Sequence, residues 1–235
     1  AHYNQNYDLN EKDIHMKDSI SLAQPFCYPP WQSDGKAYIL NYWANPQLLE
    51  QAKDFNLQPS RLGHMLHIIL THYDQTPIGP YDALFIVDHR LIKKQRYSSI
   101  VKIFVSTDEA LLHGQKLWGL PTELAQFTWT ETNTATYCQI TQQQKNIMIQ
   151  LNHHKNSSEF YINSHQLPEK ILNIQQPWQD HSYKFTPQFR GHLRKLKSVQ
   201  WHIKDDLFPK LNQARYINSF YMSNLQLILP EAQIT

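Results

Sequence analysis

The sequence predicts a mainly β fold, a curled antiparallel sheet or barrel with few short helices. Three observations point there. Short apolar, aromatic-rich runs recur along the whole chain, Pro, Gly and Asn punctuate them, and few stretches carry a helical period. A barrel of this size can hold one small ligand inside.

The elements follow in order. Lys36 to Trp43 is an aromatic strand, preceded by Gly35 and followed by Asn45-Pro46. A short helix should follow, with Asn45 as cap, Pro46 in the first turn and Leu48, Leu49 and Ala52 as its apolar stripe. Leu66 to Tyr73 and Leu84 to Val87 read as strands, joined by a turn over Asp74 to Pro80. Ile100 to Val105 is apolar on both faces except for Lys102, the mark of a strand covered on both sides. Lys102 alternates there with Ile100 and Phe104. The capping-box spacing of Ser106 and Glu109 starts a helix that Gly114 can end, giving a short helix from Ser106 to His113. Ala125 to Thr130 alternates, so one face is buried. Thr136 to Ile140 and Ile147 to Leu151 continue a meander, with Gln142 to Gln144 in a hairpin turn. Phe160 to Ile162, Val199 to Ile203 and Ile217 to Leu229 complete the strands.

Composition limits the function classes. The chain has 235 residues, of which 41% are hydrophobic and 12% aromatic, enough for a sizeable core. We expect one domain over residues 1–235, with residues 1–24 a loosely ordered N-terminal segment and the Gln175 to Pro187 stretch the weak candidate for a boundary. A net charge of +2 implies no nucleic-acid partner. No stretch is apolar enough to span a bilayer, and Ala1 to Lys17 lacks the apolar core of a secretory signal. Cys27 and Cys138 are far apart, which suits two free thiols in a reducing cytoplasm.

Motif chemistry is sparse. His64 and His67 fall on opposite faces of a strand, His153-His154 lies near a turn, and no metal-ligand spacing exists. No Gly-x-Ser-x-Gly elbow is present. Neither a metal nor a cofactor is expected. The basic run Arg190 to Lys197 reads as a solvated face. The aromatics Tyr28, Trp31, Tyr38, Tyr42 and Trp43 could line a pocket or fill the core.

Three segments carry a family resemblance: Ile78-Gly79-Pro80-Tyr81-Asp82-Ala83-Leu84, the more specific run from His113-Gly114-Gln115 through Trp118-Gly119-Leu120-Pro121-Thr122-Glu123-Leu124-Ala125, and the terminal Ile228-Leu229-Pro230-Glu231-Ala232. In order and separation they resemble the acetoacetate decarboxylase family. The resemblance implies a mainly β, barrel-like core around an apolar pocket and homo-oligomeric assembly. It also implies a lysine directly after the proline of the second segment. That lysine's amine condenses with a β-keto acid, and the protonated imine accepts the electrons released as carbon dioxide leaves.

This sequence departs from that pattern where the chemistry sits. Thr122 stands at the lysine position, and Glu123 stands where a second lysine is common. The family's glutamate falls on Ala83, another carboxylate on or near Ile68, and Gln115 replaces the arginine of a Gly-Arg pair. Lys102 and Lys116 are the candidate replacement amines, and Asp82 the candidate replacement carboxylate. We expect a small-molecule pocket bounded by Tyr81, Ala83, Gln115, Trp118, Leu120, Thr122 and Glu123, with no catalytic residue assigned. The ligand would be small and apolar, or a keto or carboxylic acid. Two alternatives remain: a divergent carbon–carbon lyase using another lysine or Glu123, and a structural or interaction protein.

Overall fold

The computed structural model describes residues 26–235 except 93–94 and 155–156; the expectation for residues 1–24 lies outside the described residues. Strands dominate, as the punctuation predicts. They are β1 (Trp31–Ala44), β2 (His64–Gln75), β3 (Tyr81–Ile92), β4 (Gln95–Val105), β5 (Thr122–Leu124), β6 (Gln126–Glu131), β7 (Ala135–Gln142), β8 (Lys145–His153), β9 (Glu159–Asn163), β10 (Ile174–Trp178), β11 (His181–Phe185), β12 (Gln188–Ile203), β13 (Arg215–Leu229) and β14 (Gln233–Ile234). The helices are α1 (Pro46–Gln51), α2 (Asp108–Trp118) and α3 (Glu169–Leu172).

Local chemistry explains the punctuation. Pro46 opens α1, and the Asn45 side chain accepts the Leu48 amide at 2.8 Å, capping the helix as expected. Between β2 and β3 the Gly79 amide donates to the Thr76 carbonyl at 3.1 Å, and Gly79 takes φ +91°, a conformation that favours glycine. Gln143 turns the β7–β8 hairpin at φ 56°. The Gln175 to Pro187 stretch forms the β10–β11 hairpin rather than a linker.

The strands make one mixed sheet in the order β14-β11-β10-β4-β3-β2-β1-β13-β12-β8-β7-β6, with β5 added to β4 and β9 to β12. Pairing is antiparallel except for β4 with β10 and β4 with β5. Long β12 belongs to both halves. Its first part pairs with β13 and β9, and from Leu196 on it pairs with β8, with a register shift between Leu196 and Ser198. Such an irregularity bends a strand, and here the sheet curls so that β6–β8 face β1–β4. The sheet stays unclosed, with β14 and β6 at its two ends.

Three apolar clusters result, the smallest of them Ala37, Tyr73, Leu193, Met222 and Leu225 on β1, β2, β12 and β13. An inner core joins Tyr38, Leu40, Ile68, Leu84 and Phe104 to Cys138, Ile140, Ile147 and Ile149 across the curl, and Leu48 and Leu49 of α1 pack into it. An outer layer on the convex side of β3 and β4 holds Ala83, Ile103 and Val105 against Ala110 and Trp118 of α2. Strand alternation divides the residues: Leu84 and Ile86 enter the inner core, Ala83, Phe85 and Val87 the outer layer. In β4 a register shift opposite Ile86 and Val87 breaks the simple alternation. Ile100 therefore belongs to the outer layer, and Lys102 shares a face with Phe104 but not with Ile100, as strict alternation would have it.

Candidate functional site

Six of the seven residues predicted for the pocket lie on or beside α2, and Glu123 does not. That helix differs from the sequence expectation at both ends. Thr107, not Ser106, caps it, its hydroxyl accepting the Ala110 amide at 3.2 Å. Ser106 is occupied elsewhere, accepting the Asp82 amide at 2.8 Å. Gly114 lies inside the helix, which ends four residues after it at Trp118, with Gly119 as its C-cap in the left-handed conformation, φ 60°. Gly114 stays helical because its bare Cα is needed for packing: a Cβ there would meet Thr122 Cγ2 at 2.8 Å. Glycine ends a helix only where the chain must turn, and the turn comes at Gly119-Leu120-Pro121.

The chain then enters β5, parallel to β4, with Thr122 opposite Ile103. Thr122 is 4% exposed, and its hydroxyl donates to the Leu111 carbonyl at 2.9 Å. Gln115 Nε2 donates to the Thr122 carbonyl at 3.2 Å. Trp118 is fully buried, its indole N–H donating to the Pro230 carbonyl at 2.8 Å, and Leu120, Ala83 and Tyr81 belong to the same outer layer. Burial, with Tyr73 nearby, holds the Tyr81 phenol well above its usual pKa, so it is neutral.

Glu123 goes the other way. As the next residue on a strand it points to the opposite face, opposite Phe104. There it accepts from Lys102 Nζ at 2.5 Å and from Gln142 Nε2 at 3.0 Å. Lys116 is exposed, with Nζ 5.7 Å from the Phe26 ring centre. Asp82, beside Ala83 in sequence, also faces away from it, accepting from Trp129 Nε1 at 2.9 Å and contacting His72 Nδ1 at 2.7 Å. Ile68 is buried in the inner core.

The sequence reading gave no role to a second group that the structure adds to this layer. His113 is 2% exposed. Its Nε2 accepts the Cys27 amide at 3.2 Å, and its Nδ1 faces the Glu109 carbonyl at 2.8 Å. These two contacts hold the ring's orientation, with Nε2 turned to the Cys27 amide. Phe26 stacks on the ring at 4.3 Å, and Trp31 meets Trp118 edge-on at 5.0 Å. The signal for His113 was its place in the helix stripe Ala110, His113, Gly114 and Trp118, all of them buried.

Chemically, the layer offers aromatic and aliphatic surface, one committed hydroxyl and one buried imidazole. No amine stands at Thr122. Among the described residues no cluster of His, Cys, Asp or Glu is placed to hold a metal. Two cavities, of about 380 and about 310 Å³, lie elsewhere: neither is lined by any of the seven residues predicted for the pocket.

Known proteins resemble the chain in both sequence and fold. An acetoacetate decarboxylase from Legionella pneumophila superposes with a TM-score of 0.69 over 92% of this chain and 93% of its own, at 12% identity. The enduracididine biosynthesis enzyme MppR, solved with pyruvate, superposes with a TM-score of 0.63 over 91% of this chain and 93% of its own, at 11% identity. At these identities the likeness shows the fold. In sequence, the tomato (Solanum lycopersicum) protein NEOXANTHIN-DEFICIENT 1 is 28% identical over 121 residues, which are 49% of this chain and 40% of that protein. Residues 15–158 match the sequence profile of the family described as acetoacetate decarboxylase (ADC). That profile spans the Gly79 to Ala83 segment, α2 and the Pro121-Thr122 turn, and with the matching fold it makes the chain a member of the acetoacetate decarboxylase family.

Proposed function

We propose that this chain keeps the family scaffold without its decarboxylation chemistry, and that the layer between the sheet and α2 takes a small apolar ligand, ketones and carboxylic acids included. The observation that carries this reading is Thr122. By the sequence resemblance it falls at the position that the family gives to lysine, and its hydroxyl is already bound to the Leu111 carbonyl. Decarboxylation of a β-keto acid needs a sink for the electrons left behind, and only a primary amine can make an iminium from a ketone. The layer supplies apolar lining in Trp118, Leu120 and Ala83, with His113 and the Thr122 hydroxyl as its polar points. One structural neighbour supports a ligand of this kind: MppR was solved with pyruvate.

A second reading has one observation behind it. Lys102 and Glu123 face the curl together, as a relocated amine and its acid would. Against it, Lys102 Nζ donates to Glu123 and is not presented to a carbonyl carbon.

Borohydride trapping tests both. Incubated with acetoacetate and then with pyruvate before reduction, the protein should keep its unmodified intact mass and release no carbon dioxide above the uncatalysed rate. A reduced adduct on Lys102 or Lys116 would overturn the proposal in favour of a lyase. Small ketones and carboxylic acids should raise the melting temperature, an effect that Thr122→Lys would abolish by filling the layer. No shift with any of them would favour a structural protein.

A further inference from the structure

The larger cavity, of about 380 Å³, has a lining unlike the apolar layer around α2 and shares no residue with it. It lies where β1, β13 and β12 run side by side. Register places two rows of side chains across it on one face of the sheet. Asp34, Gln226 and Arg190 are directly opposite one another, and β9 extends this row with Asn163. Gln32, Ile228 and Gln188 form the neighbouring row. His165, in the turn after β9, closes one side.

These groups are available to a ligand. Arg190 donates through Nε to Gln226 Oε1 at 2.5 Å, which orients the guanidinium and leaves its terminal nitrogens without a protein partner among the described residues. Asp34 is exposed and makes no ion pair or side-chain hydrogen bond among the described residues. The cation and the carboxylate sit two strands apart, about 10 Å between backbones, and the amides of Gln226, Gln32, Gln188 and Asn163 fill the space around them.

We propose that this cavity binds a small polyhydroxylated carboxylate, a monosaccharide acid of the uronic or aldonic class. The planar guanidinium of Arg190 suits a carboxylate in bidentate fashion. Carboxamides offer a donor and an acceptor together, which is what a hydroxyl, itself donor and acceptor, requires. Asp34 accepts from hydroxyls at the other end and repels a second anion, which selects one terminal carboxylate over a diacid. The volume lies in the lower range of small-molecule sites and fits one sugar unit rather than a chain of them. The inference is independent of the proposed function, because it uses none of the residues around α2.

Isothermal titration of the whole chain with D-glucuronate and D-gluconate tests it, with D-glucose and acetate as controls. Saturable binding of the sugar acids at millimolar concentration is expected, with glucose and acetate each weaker by about tenfold or more. Arg190→Gln should weaken glucuronate by about tenfold, Arg190→Lys by less, and Asp34→Asn should narrow the preference over acetate. Both side chains are exposed, so the variants should melt with the wild type. Absence of saturation, equal binding of glucose or acetate, or unchanged affinity in Arg190→Gln would each overturn the proposal. Thr122→Lys should leave this binding untouched, which separates its failure from failure of the α2 layer.

Discussion

The contact between Gly114 and Thr122 decides how closely α2 approaches β5. Alanine at position 114 would gain about 1 kcal/mol of helix propensity. Its methyl would also meet Thr122 Cγ2 at 2.8 Å, and turning the threonine away would break its hydrogen bond to Leu111. Overpacking of this kind costs roughly 1–3 kcal/mol, so Gly114→Ala should destabilise. In the Thr122→Ser background the methyl is gone, and the same substitution should become neutral or stabilising. Urea denaturation of the four proteins checks the change of sign. His67 offers a pH-dependent counterpart. Burial, and then the nearby His89, pushes its pKa down from the usual 6.5 to about 4. The unfolded chain therefore binds this proton at higher pH than the folded one. The contribution is fully present above about pH 6.5 and is lost as pH falls towards 4, on the order of 3 kcal/mol. His67→Gln should flatten the stability profile across that window, as read by denaturation at a series of pH values.

At the scale of elements, Lys102, Glu123 and Gln142 tie β4, β5 and β7 together at the edge of the inner core. The two charges are unequally covered, with side-chain exposures of 15% for Lys102 and 41% for Glu123. Removing the lysine lets Glu123 turn to solvent, so Lys102→Met should cost about 1 kcal/mol or less. Glu123→Leu strands an ammonium that is mostly covered and should cost about 1–3 kcal/mol, below the full value for a deeply buried pair. The double variant should recover most of that loss. A double-mutant cycle measures the coupling, and additive effects would show the pair to be inert. The same geometry bears on an amine placed at position 122. Glu123 is adjacent in sequence but lies on the opposite face, so it would exert little direct hold on a lysine placed there.

The whole molecule is an unclosed sheet with two open ends, β6 and β14. Unpaired strand edges invite association unless something covers them. Phe160 and Tyr161 on β9, Tyr216 and Ile217 on β13, and Ile234 on β14 leave apolar side chains exposed as well. We propose that the protein is a homo-oligomer, as the family resemblance implies. Light scattering should then give a multiple of the 27.9 kDa chain mass. A monomer at micromolar concentration, with the radius of gyration of roughly 17 Å typical of this length, would count against it.

Much of this was written in local sequence. Asn45-Pro46 capped α1, the Gly79 turn joined β2 to β3, and the apolar runs became strands, because caps, turns and alternation depend on neighbours a few residues away. The family segments were legible for the same reason. Tertiary structure decided what depends on distant partners. Gly114 read as a helix end and proved to be a helix interior, because Thr122 packs on it. The register shift in β4 moved Ile100 off the face of Lys102, and strand alternation sent Glu123 away from Thr122 to meet a lysine and a glutamine from two other strands. His113 gained its Nε2 partner, the Cys27 amide, from 86 residues earlier. The row of Asp34, Gln226 and Arg190 was invisible in sequence, since it exists only where three strands, far apart along the chain, fall into register.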